Sequence, residues 1–245
     1  MTPELRAALR TQLDIDRVWT SVQINRRGLS TALGQLPAKT LEVRTRVNQN
    51  QSGVTTTFIG RKSTDTKRPA RDLLHLACLA ESRYLLTQQG LLKAEDTWIL
   101  EDDEKPVVDG QWSWGALDAK AGQTPRYRQK REAEAAAPRW DARWIRQDSG
   151  ENWWVEVDTG YSQKRMVAKL RAVAARGFHG CVWATTTLGR VNRVAELFGE
   201  LYPLGTKRPA LLVMHVDCTT SDKDPYAKPY LKTKTYQHTF IRDAD

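Results

Sequence analysis

The sequence has few cysteines and no long apolar segment, and these two absences exclude several classes of protein. Its 245 residues include three cysteines, Cys78, Cys181 and Cys218, which are widely spaced and odd in number. Such a set argues against a disulfide scaffold and against a zinc site built from cysteines. The longest apolar stretch, at residues 210–216, is far too short to cross a bilayer. Because residues 1–5 do not begin an apolar signal segment, we expect a cytoplasmic protein with no membrane partner.

Positive charge is plentiful, and it is unevenly distributed along the chain. The sequence contains 38 Lys and Arg against 29 Asp and Glu, a formal net charge of +9, so DNA or another polyanion is the first partner to consider. The net charge is +8 over residues 1–93, −6 over residues 94–109 and +7 over residues 110–245. We therefore predict a domain at residues 1–93, an acidic linker or hairpin at residues 94–124, and a second domain at residues 125–245.

The first domain is predicted to be a small helical unit followed by a basic β-hairpin. Apolar residues recur at helical spacing through residues 4–22, and a second, short helix is expected at residues 31–36. Residues 40–47 and 54–59 alternate with period two around a turn-rich segment, which predicts a hairpin. This layout suggests a winged helix-turn-helix, in which a helix enters the major groove of DNA and the hairpin lies along the backbone. A solvated basic hairpin on another kind of α+β domain is equally well supported by the spacing.

A further helix is predicted after Pro69, with a broad apolar face. It contains His75, which we interpret as a structural histidine rather than a metal ligand or a catalytic residue. The candidate DNA-contacting residues of the whole chain are basic side chains of the first domain and of a helix in the second: Arg26, Arg27, Arg44, Arg46, Arg61, Lys62, Lys164 and Arg165.

The second domain contains three acidic residues that are placed for cation binding. Strands are predicted at residues 139–146 and 153–158. Glu156 and Asp158 share one face of the second strand, about 7 Å apart at Cα, and Asp141 lies on the neighbouring strand. Carboxylates that converge in this way can hold Mg²⁺, which polarises a phosphate and activates the attacking water. The predicted metal ligands are therefore Asp141, Glu156 and Asp158.

A hairpin with these acidic residues, followed by a helix and a buried strand, is the layout of PD-(D/E)xK nuclease-like domains. The predicted catalytic residues are Glu156, Asp158 and Lys169. Asp158 stands where such domains usually carry a lysine, and Lys169 or Lys164 on the helix at residues 163–176 is the candidate replacement. Periodicity alone favours the plainer alternative, in which Glu156 and Asp158 face solvent on a half-buried hairpin.

The segment at residues 154–171 resembles the replication-relaxation family of plasmid and mobile-element proteins. The hallmark of that family is a strand that ends in Glu-x-Asp, followed by a helix that contains Lys-Leu. Residues 73–81 also look like the His-containing helix of the family, and residues 182–190 are similar to its strand that ends in Thr and is followed by an Arg. The residues that match the hallmark, including an Asp that follows a Pro in the family, are Asp141, Glu156, Asp158, Lys169 and Leu170.

The resemblance implies an N-terminal winged helix and a C-terminal PD-(D/E)xK nuclease-like domain, and hence the α+β class. It also implies DNA binding in the replication, mobilisation or regulation of a mobile element, with double-stranded DNA as partner and Mg²⁺ as cofactor only if the nuclease-like site is active. It leaves open a homodimer or a partner protein of replication or mobilisation.

Three functions compete at this point. The first is a DNA-binding factor without catalytic activity, the second is a Mg²⁺-dependent DNA endonuclease, and the third is a protein-interaction module without DNA affinity. The tail at residues 219–245 is rich in Lys and Tyr, which suits contact with nucleic acid. It equally suits an edge strand near residues 232–240 that is protected by lysines.

Overall fold

The structure, a computed structural model, contains both helices and two β-sheets, which confirms the α+β class. The sequence also predicts a helix near residues 128–137, which lies outside the described residues, as does most of the predicted tail strand. The structure describes residues 3–46, 53–103, 139–203, 208–222, 225–226 and 238–241.

The N-terminal unit combines three helices with a three-stranded antiparallel sheet in the order β1-β3-β2. The central strand, β3, pairs with β1 on one side and with β2 along their whole length on the other. In chain order the elements are α1 (Pro3–Asp16), β1 (Val18–Thr20), α2 (Ser21–Arg26), α3 (Ser30–Leu33), β2 (Lys39–Thr45) and β3 (Val54–Gly60).

The single helix predicted over residues 4–22 is wrong, because the chain leaves the helix at Arg17. That residue has a φ of 69°, a left-handed conformation that ends α1. The next three residues form β1, whose backbone pairs with β3 and whose Trp19 is buried. Thr20 then caps α2, because its hydroxyl accepts a hydrogen bond from the backbone N–H of Gln23 at 3.1 Å. Pairing with a strand some 40 residues away overrides the local helical pattern.

Helix α5 (Ala70–Gln88), which follows the short α4 (Ser63–Thr66), packs on both sheets. On one side Ala80 belongs to the apolar cluster that α1, β1 and α2 form. On the other side Leu73 and Leu76 belong to the cluster that covers one face of the large sheet. A helix that is apolar on several sides is stable only when it is enclosed in this way. The predicted boundary after residue 93 therefore does not separate two independent cores.

The second unit is a six-stranded mixed sheet in the order β4-β5-β6-β7-β8-β9. Strands β6, β7 and β8 are parallel to one another, and the remaining neighbours are antiparallel. Two helices, α6 and α7, cover the face opposite to α5. The elements are β4 (Thr97–Leu100), β5 (Ala142–Ile145), β6 (Asn152–Asp158), α6 (Gln163–Ala175), β7 (Gly180–Thr185), α7 (Leu188–Leu201), β8 (Ala210–His215) and β9 (His238–Ile241).

Two features of this sheet bear on the site. Strand β4 lies within the segment predicted to be an acidic linker, so the described part of that segment contains an edge strand of the large sheet. Successive side chains of β6 alternate between the faces. Val155 and Val157 face α5, whereas Trp154 joins the cluster beneath α6 and α7.

In the described part of the chain, no helix combines the length and the apolar character that crossing a bilayer requires.

Candidate functional site

Glu156 and Lys169 form a buried ion pair between β6 and α6. Oε1 of Glu156 lies 2.5 Å from Nζ of Lys169, and the two residues are 0% and 5% exposed. Oε2 of Glu156 accepts a hydrogen bond from Nε1 of Trp154 at 3.0 Å. The Lys169 ammonium also donates to the backbone carbonyl of Arg139 at 2.7 Å. The structure thus brings together two of the three residues that the sequence nominated as catalytic.

Asp141, the residue just before β5, joins this pair. Its Oδ2 accepts a hydrogen bond from the backbone N–H of Val157 at 2.7 Å, which holds the carboxylate beside β6. Its Oδ1 lies 3.1 Å from Nε2 of His75, a half-buried side chain on α5. His75 was interpreted from the sequence as structural, and its contact with a site carboxylate was missed. The resemblance of its helix to the His-containing helix of the family was the signal that could have found it.

The protonation of these four residues depends on one lysine, Lys169, that lies near the two carboxylates of Glu156 and Asp141. Burial raises the pKa of Glu156 to about 7, with a further contribution from the Asp141 charge, although Lys169 acts in the opposite direction. Burial also disfavours the charged form of Asp141, but His75 and Lys169 outweigh it and hold the pKa of that carboxyl well below its usual range. Glu156 is therefore the carboxyl that takes up a proton near neutral pH.

The pKa values of the two cationic side chains, Lys169 and His75, are raised by the neighbouring carboxylates. Burial lowers the pKa of Lys169, yet Glu156 and Asp141 outweigh it, and the net pKa is raised. Burial likewise opposes charge on His75, but the Asp141 charge and its hydrogen bond raise the pKa of the imidazole above 6.5.

Asp158 lies on the same strand as Glu156 but is engaged elsewhere. Its Oδ1 accepts hydrogen bonds from the backbone N–H groups of Gly160 at 2.7 Å and Tyr161 at 2.5 Å, which closes the turn after β6. Its Oδ2 lies 2.7 Å from Nη1 of Arg190 at the start of α7. The same guanidinium donates to the carbonyl of Tyr161 at 2.9 Å. Asp158 thus joins the end of β6 to α7, a role the sequence did not reveal.

The residues predicted to bind Mg²⁺ do not fit that ion as the structure places them. Within the described ranges there is no group of three or more His, Cys, Asp or Glu side chains arranged to hold a metal ion. Mg²⁺ requires near-octahedral oxygen ligands. Asp158 is committed to Arg190 and two backbone N–H groups, and Glu156 is compensated by the ammonium of Lys169. Two internal cations therefore accompany the two carboxylates at the end of β6.

Arg26 and Arg27, which were predicted to contact DNA, face the interior around Glu81 of α5. Arg27 places Nη2 2.7 Å from Oε2 of Glu81, and its guanidinium lies 4.0 Å from the ring centroid of Trp19 and 3.7 Å from that of Tyr84. Arg26 lies 3.6 Å from Oε1 of the same carboxylate. Their side chains are 9% and 7% exposed, so both arginines hold the N-terminal unit together.

The other predicted DNA contacts lie at or near the surface. Arg44 and Arg46 are exposed on and just after β2, where Leu41 and Val43 face the opposite way and pack on the cluster of α5. Lys62 and Lys164 are also exposed. Arg61 pairs with Asp14, and the Arg165 guanidinium stacks 4.0 Å from the ring centroid of Tyr161. The exposed positive charge of the N-terminal unit that the sequence nominated is thus concentrated on its hairpin and the hairpin exit.

Comparisons with protein-family models, with curated proteins and with solved structures gave no match.

Proposed function

We propose that the protein binds double-stranded DNA through its N-terminal unit, which is a winged helix-turn-helix. The observation that carries the proposal is the order α1-β1-α2-α3-β2-β3, with the strands arranged β1-β3-β2. A three-residue turn at positions 27–29 joins α2 to α3, and its Gly28 has a φ of +67°. Two short helices joined by a three-residue, Gly-containing turn are typical of the helix-turn-helix. The β2–β3 hairpin follows directly, in the position of the wing.

The exposed side chains of this unit suit the two parts of such a contact. Ser30, Thr31 and Gln35, on and beside α3, are exposed and present hydroxyl and amide groups that can hydrogen-bond to base edges in the major groove. Arg44 and Arg46 on the hairpin provide the positive charge that attracts phosphates. Arg26 and Arg27, at the end of α2, tie that helix to α5 through Glu81.

The second unit, we propose, is PD-(D/E)xK nuclease-like but does not cleave DNA. Its β5–β6 hairpin, followed by α6 and the buried β7, supports the nuclease-like assignment, as does the position of Asp141 and Glu156. The ion pair between Arg190 and Asp158 diverts Asp158 from Glu156 and Asp141, which favours the non-cleaving role. A function in the replication, mobilisation or regulation of a plasmid or mobile element rests on the family resemblance.

The test of DNA binding is a titration of labelled duplex DNA at several salt concentrations, followed by fluorescence anisotropy. We expect affinity that falls steeply with salt. The double variant Arg44→Ala, Arg46→Ala should bind more weakly, with the slope of log affinity against log salt reduced by about 1.8 if each arginine neutralises one phosphate. The control is Arg6→Ala, Arg10→Ala, which removes the same charge from the exposed face of α1 and should bind like wild type. Salt-insensitive or undetectable binding by the wild type would favour the protein-interaction module instead.

The second candidate function is a Mg²⁺-dependent DNA endonuclease, and one observation favours it. Lys169 lies beside Glu156 and close enough to Asp141 to lower its pKa, so an acid, a second acid and a lysine are gathered even though Asp158 is diverted. The test is supercoiled-plasmid nicking with Mg²⁺ or Mn²⁺, run beside Glu156→Gln. Nicking by the wild type that the variant loses, while it still binds DNA, would replace the non-cleaving proposal.

A further inference from the structure

We propose that Cys78 and Cys218 form an oxidisable thiol pair, which a peroxide-class oxidant converts into an intramolecular disulfide between α5 and the segment after β8. Their Sγ atoms lie 3.3 Å apart although the residues are 140 positions apart in sequence. Both are free thiols and are buried, at 0% and 1% exposure. A disulfide needs the two sulfurs at about 2.05 Å, so only a small movement of the side chains is required to form the bond.

The surroundings of Cys218 hold it in this position from two directions. The hydroxyl of Thr20 donates a hydrogen bond to the carbonyl of Cys218 at 2.6 Å. Arg26 donates to the carbonyl of the preceding residue, Asp217, at 2.5 Å. Cys78 lies in the interior of α5, so its backbone is fixed by the helix. A bond between the two sulfurs would therefore join α5 covalently to the segment after β8 and close a loop of residues 78–218.

The third cysteine provides a control within the same chain. Cys181 on β7 is equally buried, but it belongs to the apolar cluster on the opposite face of the sheet, with Trp154 and Leu170. Cys78 and Cys218 belong together to the cluster on the α5 face. The sheet separates the two sets, so the fold selects one pairing out of three.

The chemistry balances with hydrogen peroxide as the oxidant. One sulfur attacks a peroxide oxygen, the O–O bond breaks, and a sulfenic acid and water result; the second sulfur then attacks the sulfenic sulfur and displaces a second water. Two thiols are oxidised to one disulfide and one peroxide is reduced to two waters. The hydrogen bond with Cys78, together with burial, raises the pKa of the Cys218 thiol well above its usual range. Because the thiolate is the reactive form, oxidation should be slow and limited by local opening around Cys218.

The experiment is overnight incubation of the 245-residue chain with hydrogen peroxide, followed by thiol counting in denaturant and peptide mapping without reductant. We expect the count to fall from three to one, a peptide linking Cys78 to Cys218, and a higher thermal midpoint that a reductant reverses. In Cys181→Ala the count should fall from two to none, and in Cys218→Ala both remaining thiols should persist.

Three results would overturn the proposal: persistence of all thiols in the wild type, a linked peptide that contains Cys181, or disulfide-linked dimers in place of the internal bond. The mapping on the wild type needs no substitution, so a variant that fails to fold does not affect the outcome. Because the readout is the thiol count, the result is independent of whether the protein binds DNA.

Discussion

Replacing Glu156 by glutamine should make the protein more stable at alkaline pH and leave it nearly unchanged at acidic pH. The substitution removes the charge but keeps the shape of the side chain, and the amide oxygen can still accept the hydrogen bond from Nε1 of Trp154. Lys169 keeps its bond to the carbonyl of Arg139. The change in stability therefore measures what it costs the fold to hold a carboxylate at this buried position.

The magnitude follows from the pKa of Glu156, which the fold raises from 4.5 to about 7. Between these pH values the folded state holds a proton that the unfolded chain has released, so the free energy of unfolding decreases as the pH rises. Above the folded-state pKa the accumulated loss is about 3 kcal/mol. Glu156→Gln cannot lose this proton, so it should escape the loss. We expect near-equal stability at about pH 4.5 and a gain of about 2–3 kcal/mol near pH 8.5.

The assay is urea unfolding at a series of pH values, followed through the fluorescence of the nine tryptophans. With a slope of about 3 kcal/mol per molar urea, the expected gain raises the midpoint by about 1 M. The control is Glu196→Gln on α7, which removes the same charge from a side chain that is 61% exposed, and it should show no such pH-dependent gain.

A difference between wild type and Glu156→Gln that does not change with pH would refute the reasoning. A variant that becomes less stable as the pH rises would show that Lys169 outweighs burial and that Glu156 is ionised throughout. Either result would mean that Glu156 and Lys169 form an ordinary buried ion pair and that Glu156 does not take up a proton near neutral pH.

Three further predictions concern the long-range contacts of α5, β6 and α7. Glu81→Ala should lower the free energy of unfolding by about 3–5 kcal/mol, measured by urea unfolding, because the buried guanidinium groups of Arg26 and Arg27 lose the carboxylate that they share. Arg190→Leu should lower the free energy of unfolding by about 2 kcal/mol in the same assay, since the fully buried Asp158 loses its charged partner. The matched control, Arg193→Leu, should lower it by at most about 1 kcal/mol, because the described ion pairs of Arg193 involve only exposed carboxylates. Asp141→Asn should lower the pKa of His75, followed by NMR titration of the imidazole, because burial would then act without the charge and hydrogen bond of Asp141. An unchanged pKa would contradict the contact.

The local periodicity of the sequence was sufficient for the hairpin that bears the acidic residues and for the helix that follows it. The predicted strand at residues 153–158 corresponds to β6 (Asn152–Asp158), and the predicted helix at residues 163–176 corresponds to α6 (Gln163–Ala175). The faces of β6 were also predictable, because alternation along a strand is a property of neighbouring residues. The helix predicted over residues 4–22 failed at Arg17 because pairing of β1 with β3 is not a local property.

The candidate site was predictable only in part, for the same reason. Glu156 and Lys169 were both nominated from the sequence, and the structure places them 2.5 Å apart. The sequence also nominated Asp158 for the same cation, but its partner is Arg190, 32 positions away. A spacing of two along a strand shows that two carboxylates share a face, and it does not show which groups of other elements meet each of them.

By itself, then, the sequence determined the α+β class, the basic character of the chain and the faces of its strands, because these depend on composition and on neighbouring residues. Only the tertiary structure decided which charges are compensated inside the fold: Arg27 by Glu81, Asp158 by Arg190 and Asp141 by His75. It also brought Cys78 to Cys218, a contact that the wide spacing of the three cysteines in the sequence did not indicate. Each of these contacts joins elements that meet because α5 packs between the two sheets or because α6 and α7 close over the large one, and packing between distant segments leaves no local pattern in a single sequence.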